Sequence, residues 1–310
     1  MLRAIFLYLS VAGWAKKLIT AFPPARRATR RFVAGESIGE ALNAAHALNQ
    51  KNMLVSLDNL GENVYTEPEA RKATDHYLKL IDSINQAKVK ASCSLKLTQL
   101  GLDISEDLCV QNLREILTRA KATNMEITID MESTDYTERT LKIYRMLHQD
   151  YEFSNLATVI QAYLYRSEAD MQALAQEGAT IRLCKGAYKE PADKAFPKKA
   201  DVDVNYVTLM QQFMSPENRA KGAYLQLATH DLSIIQAAEE FIRQNNIPKN
   251  QFEFQMLYGI RSGTQEELVK KGYTVRIYVP YGSEWYPYFM RRLAERPANV
   301  WFILKNLMAR

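Results

Sequence analysis

Cysteine is scarce in this chain, and no pattern puts it to work. The three present, Cys93, Cys109 and Cys184, are odd in number and scattered. No C-x-x-C pair and no Cys/His zinc spacing occurs, which leaves out a disulfide framework and a zinc module and fits a reducing compartment. Several catalytic fingerprints are also missing. There is no G-x-G-x-x-G for a dinucleotide, no G-x-x-x-x-G-K-[ST] for a nucleotide phosphate and no H-E-x-x-H for a metal. There is no G-x-S-x-G nucleophile elbow either. No motif for nucleic acid is present, and no low-complexity tract, linker or internal repeat interrupts the chain. The apolar run in LRAIFLYLSVAGWA is about a dozen residues, too short to span a bilayer.

What is present is a chain of 310 residues, 47% apolar and 24% charged. That is ample for a buried core in one large domain or two small ones. The net charge of +5 is unevenly placed. Residues 1–35 carry seven bases and no acid, so the remainder nets +5 − 7 = −2. A basic whole therefore hides a mildly acidic body, which argues against nucleic acid as a partner. The basic, apolar N-terminal stretch reads as an amphipathic helix packed on the domain or lying on a membrane surface. A signal peptide or organelle presequence is the alternative. The free cysteines favour the inside of a cell.

From residue 53 onward, strand-length apolar runs alternate with longer amphipathic stretches. The runs are MLVSLDNLG (53–61), VKASCSLKL (89–97), MEITIDM (125–131), LATVIQAY (156–163), ATIRLCKG (179–186), AYLQLATHD (223–231), FEFQMLYG (252–259) and YTVRIYVPYG (273–282). Two helix starts carry a capping-box spelling, Ser167-x-x-Asp170 and Thr264-x-x-Glu267. Eight β-then-α units predict an α/β chain folded as a (β/α)8 TIM barrel, with extra helices in the first 50 residues. A doubly wound sheet is the alternative.

A TIM barrel places its site where the strands end. The runs end in polar groups: Lys96; Asp130; Gln161 and Tyr163; Arg182, Lys185 and Tyr188; Thr229-His230-Asp231; Gln255 and Leu257; and Tyr278. A last helix adds Tyr288, Arg291, Arg292 and Glu295. Each alone has a plain explanation. Lys96 can reach solvent, Asp130 can cap a helix, Gln161 can satisfy loose backbone, His230 can be structural, and the two arginines can be solvated. Together they would meet at one mouth, where cations, acids and aromatics suit a large anionic ligand with a flat ring and a small anionic substrate. Read from the residues alone, this is a barrel with an anion-binding mouth, and a Schiff-base barrel using Lys96 or Lys185 and a basic membrane-binding module are the competing functional readings.

The blocks SLKLTQLG (94–101), TIDMES (128–133), VIQAY (159–163), RLCKGAY (182–188), LATHD (227–231), FEFQML (252–257), RIYVPYG (276–282) and YFMRRLAERPAN (288–299) resemble one family, proline dehydrogenase, in its stand-alone bacterial form. The resemblance covers nearly the whole barrel in order. It implies a distorted (β/α)8 barrel over residues 51–310 with a helical extension over 1–50. It also implies a flavoprotein that holds FAD non-covalently and oxidises L-proline to Δ1-pyrroline-5-carboxylate, the first step of proline catabolism. Electrons would pass to a membrane quinone, and a Δ1-pyrroline-5-carboxylate dehydrogenase is an implied partner. The implied location is the cytoplasm, with peripheral contact at the inner face of the membrane left open.

By the same resemblance, Arg291, Arg292 and Lys96 hold the proline carboxylate. Tyr278 and Tyr288 wall the ring, with Leu257 and Tyr188 nearby. Asp130, Arg182 and Tyr278 form the catalytic set. Asp130, Gln161, Arg182, Lys185, Gly186, Ala187, Thr229, His230 and Glu295 surround FAD. No metal ligands are implied. The paired arginines suit a carboxylate, because each guanidinium is a planar fork that stays charged when desolvated.

Overall fold

The structure, a computed structural model, describes residues 29–188, 190–286 and 288–290. Each of the eight runs contains a strand, and the strands are β1 (Leu54–Asn59), β2 (Ala91–Leu95), β3 (Ile127–Ile129), β4 (Leu156–Gln161), β5 (Thr180–Cys184), β6 (Tyr224–Ala228), β7 (Phe252–Leu257) and β8 (Val275–Tyr281). All pair in parallel with their chain neighbours, and β8 closes on β1. Closure decides between the two expected architectures, since a doubly wound sheet stays open while β1 here pairs on both edges. The chain is a (β/α)8 barrel.

Among the described residues the main α-helices are α1 (Ile38–Asn49), which precedes β1, then α2 (Glu67–Ala87), α3 (Glu106–Lys121), α4 (Thr134–Arg145), α5 (Ser167–Gln176), α6 (Lys199–Phe213), α7 (Pro216–Ala220), α8 (Leu232–Gln244) and α9 (Ser262–Lys270). Helix α2 shows why such a segment is helical. Its buried residues, Ala70, Thr74, Tyr77, Leu80, Ile81 and Ile84, recur every three or four positions and form one face. Thr66 and Glu69 cap its start reciprocally, and Lys88 in a left-handed conformation ends it. Burying each Leu or Ile of that face contributes about 1.5–3 kcal/mol.

The capping boxes expected at Ser167 and Thr264 are not formed. Ser167 is already the first residue of α5, and its hydroxyl donates to the Gln161 carbonyl at 2.6 Å. Helix α9 begins two residues before Thr264, after Arg261 in a left-handed turn. The reciprocal boxes sit instead at Ser37/Glu40 and Thr66/Glu69. Among the described residues no helix is long and apolar enough to cross a membrane.

Strand residues alternate between two surroundings. Val55, Leu57, Cys93, Leu95, Ile127, Ile129, Ile181, Leu183, Leu225, Leu227, Phe252, Phe254, Val275, Ile277 and Val279 are buried in one apolar core that also takes in the helices. The residues between them are mostly polar. Across the ladder Ser56 pairs with Ser92, Asp58 with Ser94, Ser94 with Thr128, Arg182 with Gln226, Gln226 with Glu253, and Gln255 with Arg276. Barrel interiors are usually layers of branched apolar side chains. This one is wired with hydrogen bonds.

Candidate active site

Arg182 is the hub. It lies in the middle of β5, yet Nη2 donates to Ser94 Oγ at 3.0 Å and Thr128 Oγ1 at 3.3 Å, and Nε donates to Gln255 Oε1 at 2.6 Å. Those partners sit on β2, β3 and β7, so the side chain crosses the barrel interior. Its Nη1 donates to Asp130 Oδ1 at 2.6 Å. Asp130 follows β3 at the C-terminal end, and its Oδ2 accepts from the Tyr278 hydroxyl at 2.7 Å. The Arg182 guanidinium also stands 5.3 Å from the centre of the Tyr278 ring, within cation–π range. Asp130 thus ties β5 to β8 from β3.

Lys96 follows β2 and is 8% exposed. Its Nζ lies 3.5 Å from Asp58 Oδ1 and 3.9 Å from Asp130 Oδ2. Burial alone would lower the pKa of this ammonium, but the charges of Asp58 and Asp130 reverse that and hold it above the usual lysine value. Asp58 is pushed up by burial, and Lys96 pulls against the shift. A Schiff-base lysine must be a neutral amine, so a clamped cation here removes support from that reading at Lys96. Burial, with Asp130 beside it, raises the Tyr278 phenol, which stays a hydrogen-bond donor.

The expected residues on β4 to β7 line the same end of the barrel. Gln161 is buried and donates from Nε2 to the Glu132 carbonyl at 2.8 Å. Lys185 donates to Asp231 at 2.8 Å and also to Asp203. Thr229 Oγ1 accepts from the Asp231 backbone N–H at 3.1 Å. His230 Nε2 accepts from the Leu257 backbone N–H at 3.2 Å, which assigns the ring proton to Nδ1. Gly186 has φ +115°, and a Cβ there would fall 2.4 Å from the Tyr163 ring. Tyr188 is half-buried and close enough to Lys96 to act on its charge, whereas Ala187 is exposed. Leu257 and Tyr288 share an apolar cluster with Phe32, Val33, Ile260 and Phe289. Arg291, Arg292 and Glu295 lie outside the described residues.

A family model described as proline dehydrogenase matches residues 41–305. The chain belongs to the proline dehydrogenase family. It is 45% identical over 312 residues to Proline dehydrogenase 1 of Bacillus subtilis, covering 99% of each chain. It is 41% identical to Proline dehydrogenase of Deinococcus radiodurans, covering 90% of this chain and 89% of that one. The bifunctional protein PutA of Klebsiella aerogenes is 29% identical, and there the match takes in only 24% of the longer protein. Among solved structures, proline utilization A from Bdellovibrio bacteriovorus, inactivated by N-propargylglycine, superposes with a TM-score of 0.81 at 28% identity, covering 87% of this chain and 33% of that one. Other members of the proline dehydrogenase family thus match this chain end to end or as one part of a larger protein.

Two acids of the site escaped sequence reasoning. Asp58 belongs to the cation-binding group at the mouth. Glu132 is buried, raised in pKa by that burial, and accepts from the Thr98 hydroxyl at 2.7 Å and the Thr98 backbone N–H at 3.2 Å. Reading strand ends alone hid them. The signal is the period of two: Ser56 and Asp58; Ser94 and Lys96; Thr128, Asp130 and Glu132.

Proposed function

We propose that this barrel oxidises L-proline to Δ1-pyrroline-5-carboxylate at the mouth formed by Lys96, Asp130, Arg182 and Tyr278. Proline dehydrogenase activity, the first step of proline catabolism, follows from the family. The observation that carries the site assignment is the buried, charge-balanced group of Asp58, Lys96, Asp130 and Arg182, with the Tyr278 ring set against it. The donor set fits FAD. Arg182 and Gln161 offer planar donors for the polar edge of an isoalloxazine ring, while Lys185, Thr229 and His230 suit the phosphate and ribose portion, with Glu295 assigned by family resemblance. Gly186, at φ +115° and packed close to the Tyr163 ring, keeps the chain narrow beside them, and Ala187 follows it.

A bound FAD would supply the hydride acceptor at this mouth, with a membrane quinone as the onward electron acceptor that the resemblance implies. The protein's own residues do the positioning. Lys96 holds the proline carboxylate as a fixed ammonium, and Arg291 and Arg292 are assigned the same oxygens. Tyr278, Tyr288, Leu257 and Tyr188 wall the pyrrolidine ring. Substrate binds with a neutral amine, hydride leaves C5, the nitrogen lone pair closes the C=N bond, and the nitrogen proton is released. No strong base is required, so orientation and electrostatics carry most of the acceleration. Asp130 keeps Arg182 and Tyr278 aligned, and Arg182 favours negative charge developing at the acceptor.

We assign residues 1–50 to a helical extension and 51–310 to the catalytic barrel. A quinone acceptor would bring a cytoplasmic enzyme to the inner membrane face. The bifunctional naming of longer relatives supports a dehydrogenase for the product as partner. The deciding test is the visible spectrum of the purified protein without air. A flavin band that bleaches with L-proline and hardly with D-proline supports cofactor, substrate and half-reaction together. A flavin band indifferent to L-proline overturns the substrate, and a colourless protein that added FAD cannot reconstitute overturns the cofactor.

A further inference from the structure

The hydrogen bonds beneath the mouth do not stop at Arg182. Gln255 Oε1 accepts from Arg182 Nε at 2.6 Å, and Gln255 Nε2 donates to Glu253 Oε1 at 2.6 Å. Glu253 is gripped by Arg276 through both oxygens, at 2.6 and 3.0 Å. Arg276 Nη1 donates to Ser92 Oγ on β2 at 3.1 Å, across β1. Gln255 is 2% exposed and Glu253 1%. The chain therefore runs along the barrel interior, from Ser92 near its floor to Asp130 at its mouth, with charges alternating along the way.

The chemistry fixes each link. A guanidinium has donors only, and a carboxylate held by arginine is an acceptor only. The amide between them must turn its oxygen toward Arg182 and its nitrogen toward Glu253. Flipping it would set donor against donor and acceptor against acceptor. The orientation of Gln255 is thus dictated from below, and it in turn ties down the Nε corner of Arg182. We propose that Gln255, held by the Glu253–Arg276 pair, is a positioning residue that fixes the Arg182 guanidinium and so sets the positive potential available at the mouth. This rests on the FAD reading given above. A simpler role, satisfying buried polar groups, would move stability alone.

The test is the equilibrium midpoint potential of the FAD-loaded protein, read by spectrum against a reference dye, with no turnover involved. Gln255→Glu places a carboxylate against Arg182 and against Glu253. It should lower thermal stability and also lower the potential by at least about 30 mV, a tenfold bias for a two-electron couple. The double variant Gln255→Glu/Glu253→Gln restores a donor between the two positions and the total charge, but leaves the negative charge one step nearer the mouth. Arg276 then loses its carboxylate partner, so stability should recover only in part, while the potential stays at least tenfold low. A potential at the wild-type value in the double variant, with FAD bound in full, would overturn the positioning role and leave Gln255 a structural residue. Wild-type protein that cannot be loaded with FAD would overturn both this inference and the cofactor reading beneath it.

Discussion

Lys96 is worth more as a partner than as a lone charge. A buried ammonium beside two carboxylates is tolerable because each neutralises the other, and removing one member strands the rest. Lys96→Met should therefore lose about 3–5 kcal/mol of stability in urea unfolding as well as affinity for proline, because Asp58 is left charged and buried. Adding Asp58→Asn should recover most of that stability and none of the affinity. A single variant as stable as wild type would show that Asp58 is already protonated in the native protein. Tyr278→Phe isolates a single bond, the 2.7 Å donation to Asp130. A hydrogen bond to a charged group contributes about 1.5–3 kcal/mol, so kcat/KM for L-proline should fall roughly ten- to a hundredfold. A fall below twofold would remove Asp130–Tyr278 alignment from the catalytic account. At this scale Lys96, Asp130, Arg182 and Tyr278 were legible in the sequence as polar residues near strand ends. Asp58 was not, since the first run ends DNLG and a lone acid before a turn looks like a cap.

Elements were easier to read than their junctions. The eight strands announced themselves as short apolar runs, most of them with core residues at every second position and polar residues between. The same alternation was read only at the strand ends, so the polar barrel interior went unseen. Helix starts were misplaced at α5 and α9 because a capping-box spelling is common on helical surfaces, and at Ser167 the hydroxyl is spent on the Gln161 carbonyl. The β5–α6 junction depends on a glycine. Gly186 adopts φ +115° with its α-carbon turned to the Tyr163 ring, so Gly186→Ala meets both a disfavoured backbone and a contact of 2.4 Å. We expect a loss of about 1–3 kcal/mol in stability and weaker retention of FAD, measured by thermal unfolding and by the flavin content after dialysis. Full stability with full flavin content would mean that the junction can open without harm.

Outside the buried site, where Asp58 and Glu132 are pushed up, several carboxylates across the molecule are held in their charged form. Burial pushes the Asp231 carboxyl up, but the ammonium groups of Lys185 and Lys199 outweigh it and hold the group well below the ordinary aspartate value. Glu115 is lowered by Arg71, Glu138 by Arg166, and Glu40 by the backbone N–H of Glu36 and by Ser37. A carboxylate with a depressed folded pKa binds fewer protons than in the unfolded chain. Its contribution is complete above the unfolded value, near 4, and is lost as the pH falls through that value toward the folded one. The exposed pairs of Glu115 and Glu138 are screened by salt, whereas the Lys185–Asp231–Lys199 group is only about a quarter exposed at Asp231 and Lys185. Melting temperature should therefore stay nearly level from pH 7 to about pH 5 and fall steeply toward pH 3. In 1 M salt, where the screening length is about 3 Å, part of that acid limb should flatten. Asp231→Asn should flatten a further part that salt leaves in place, because the asparagine has no proton to gain. Acid limbs that coincide for wild type and Asp231→Asn in high salt would take Asp231 out of the charge balance and leave the surface pairs to account for it.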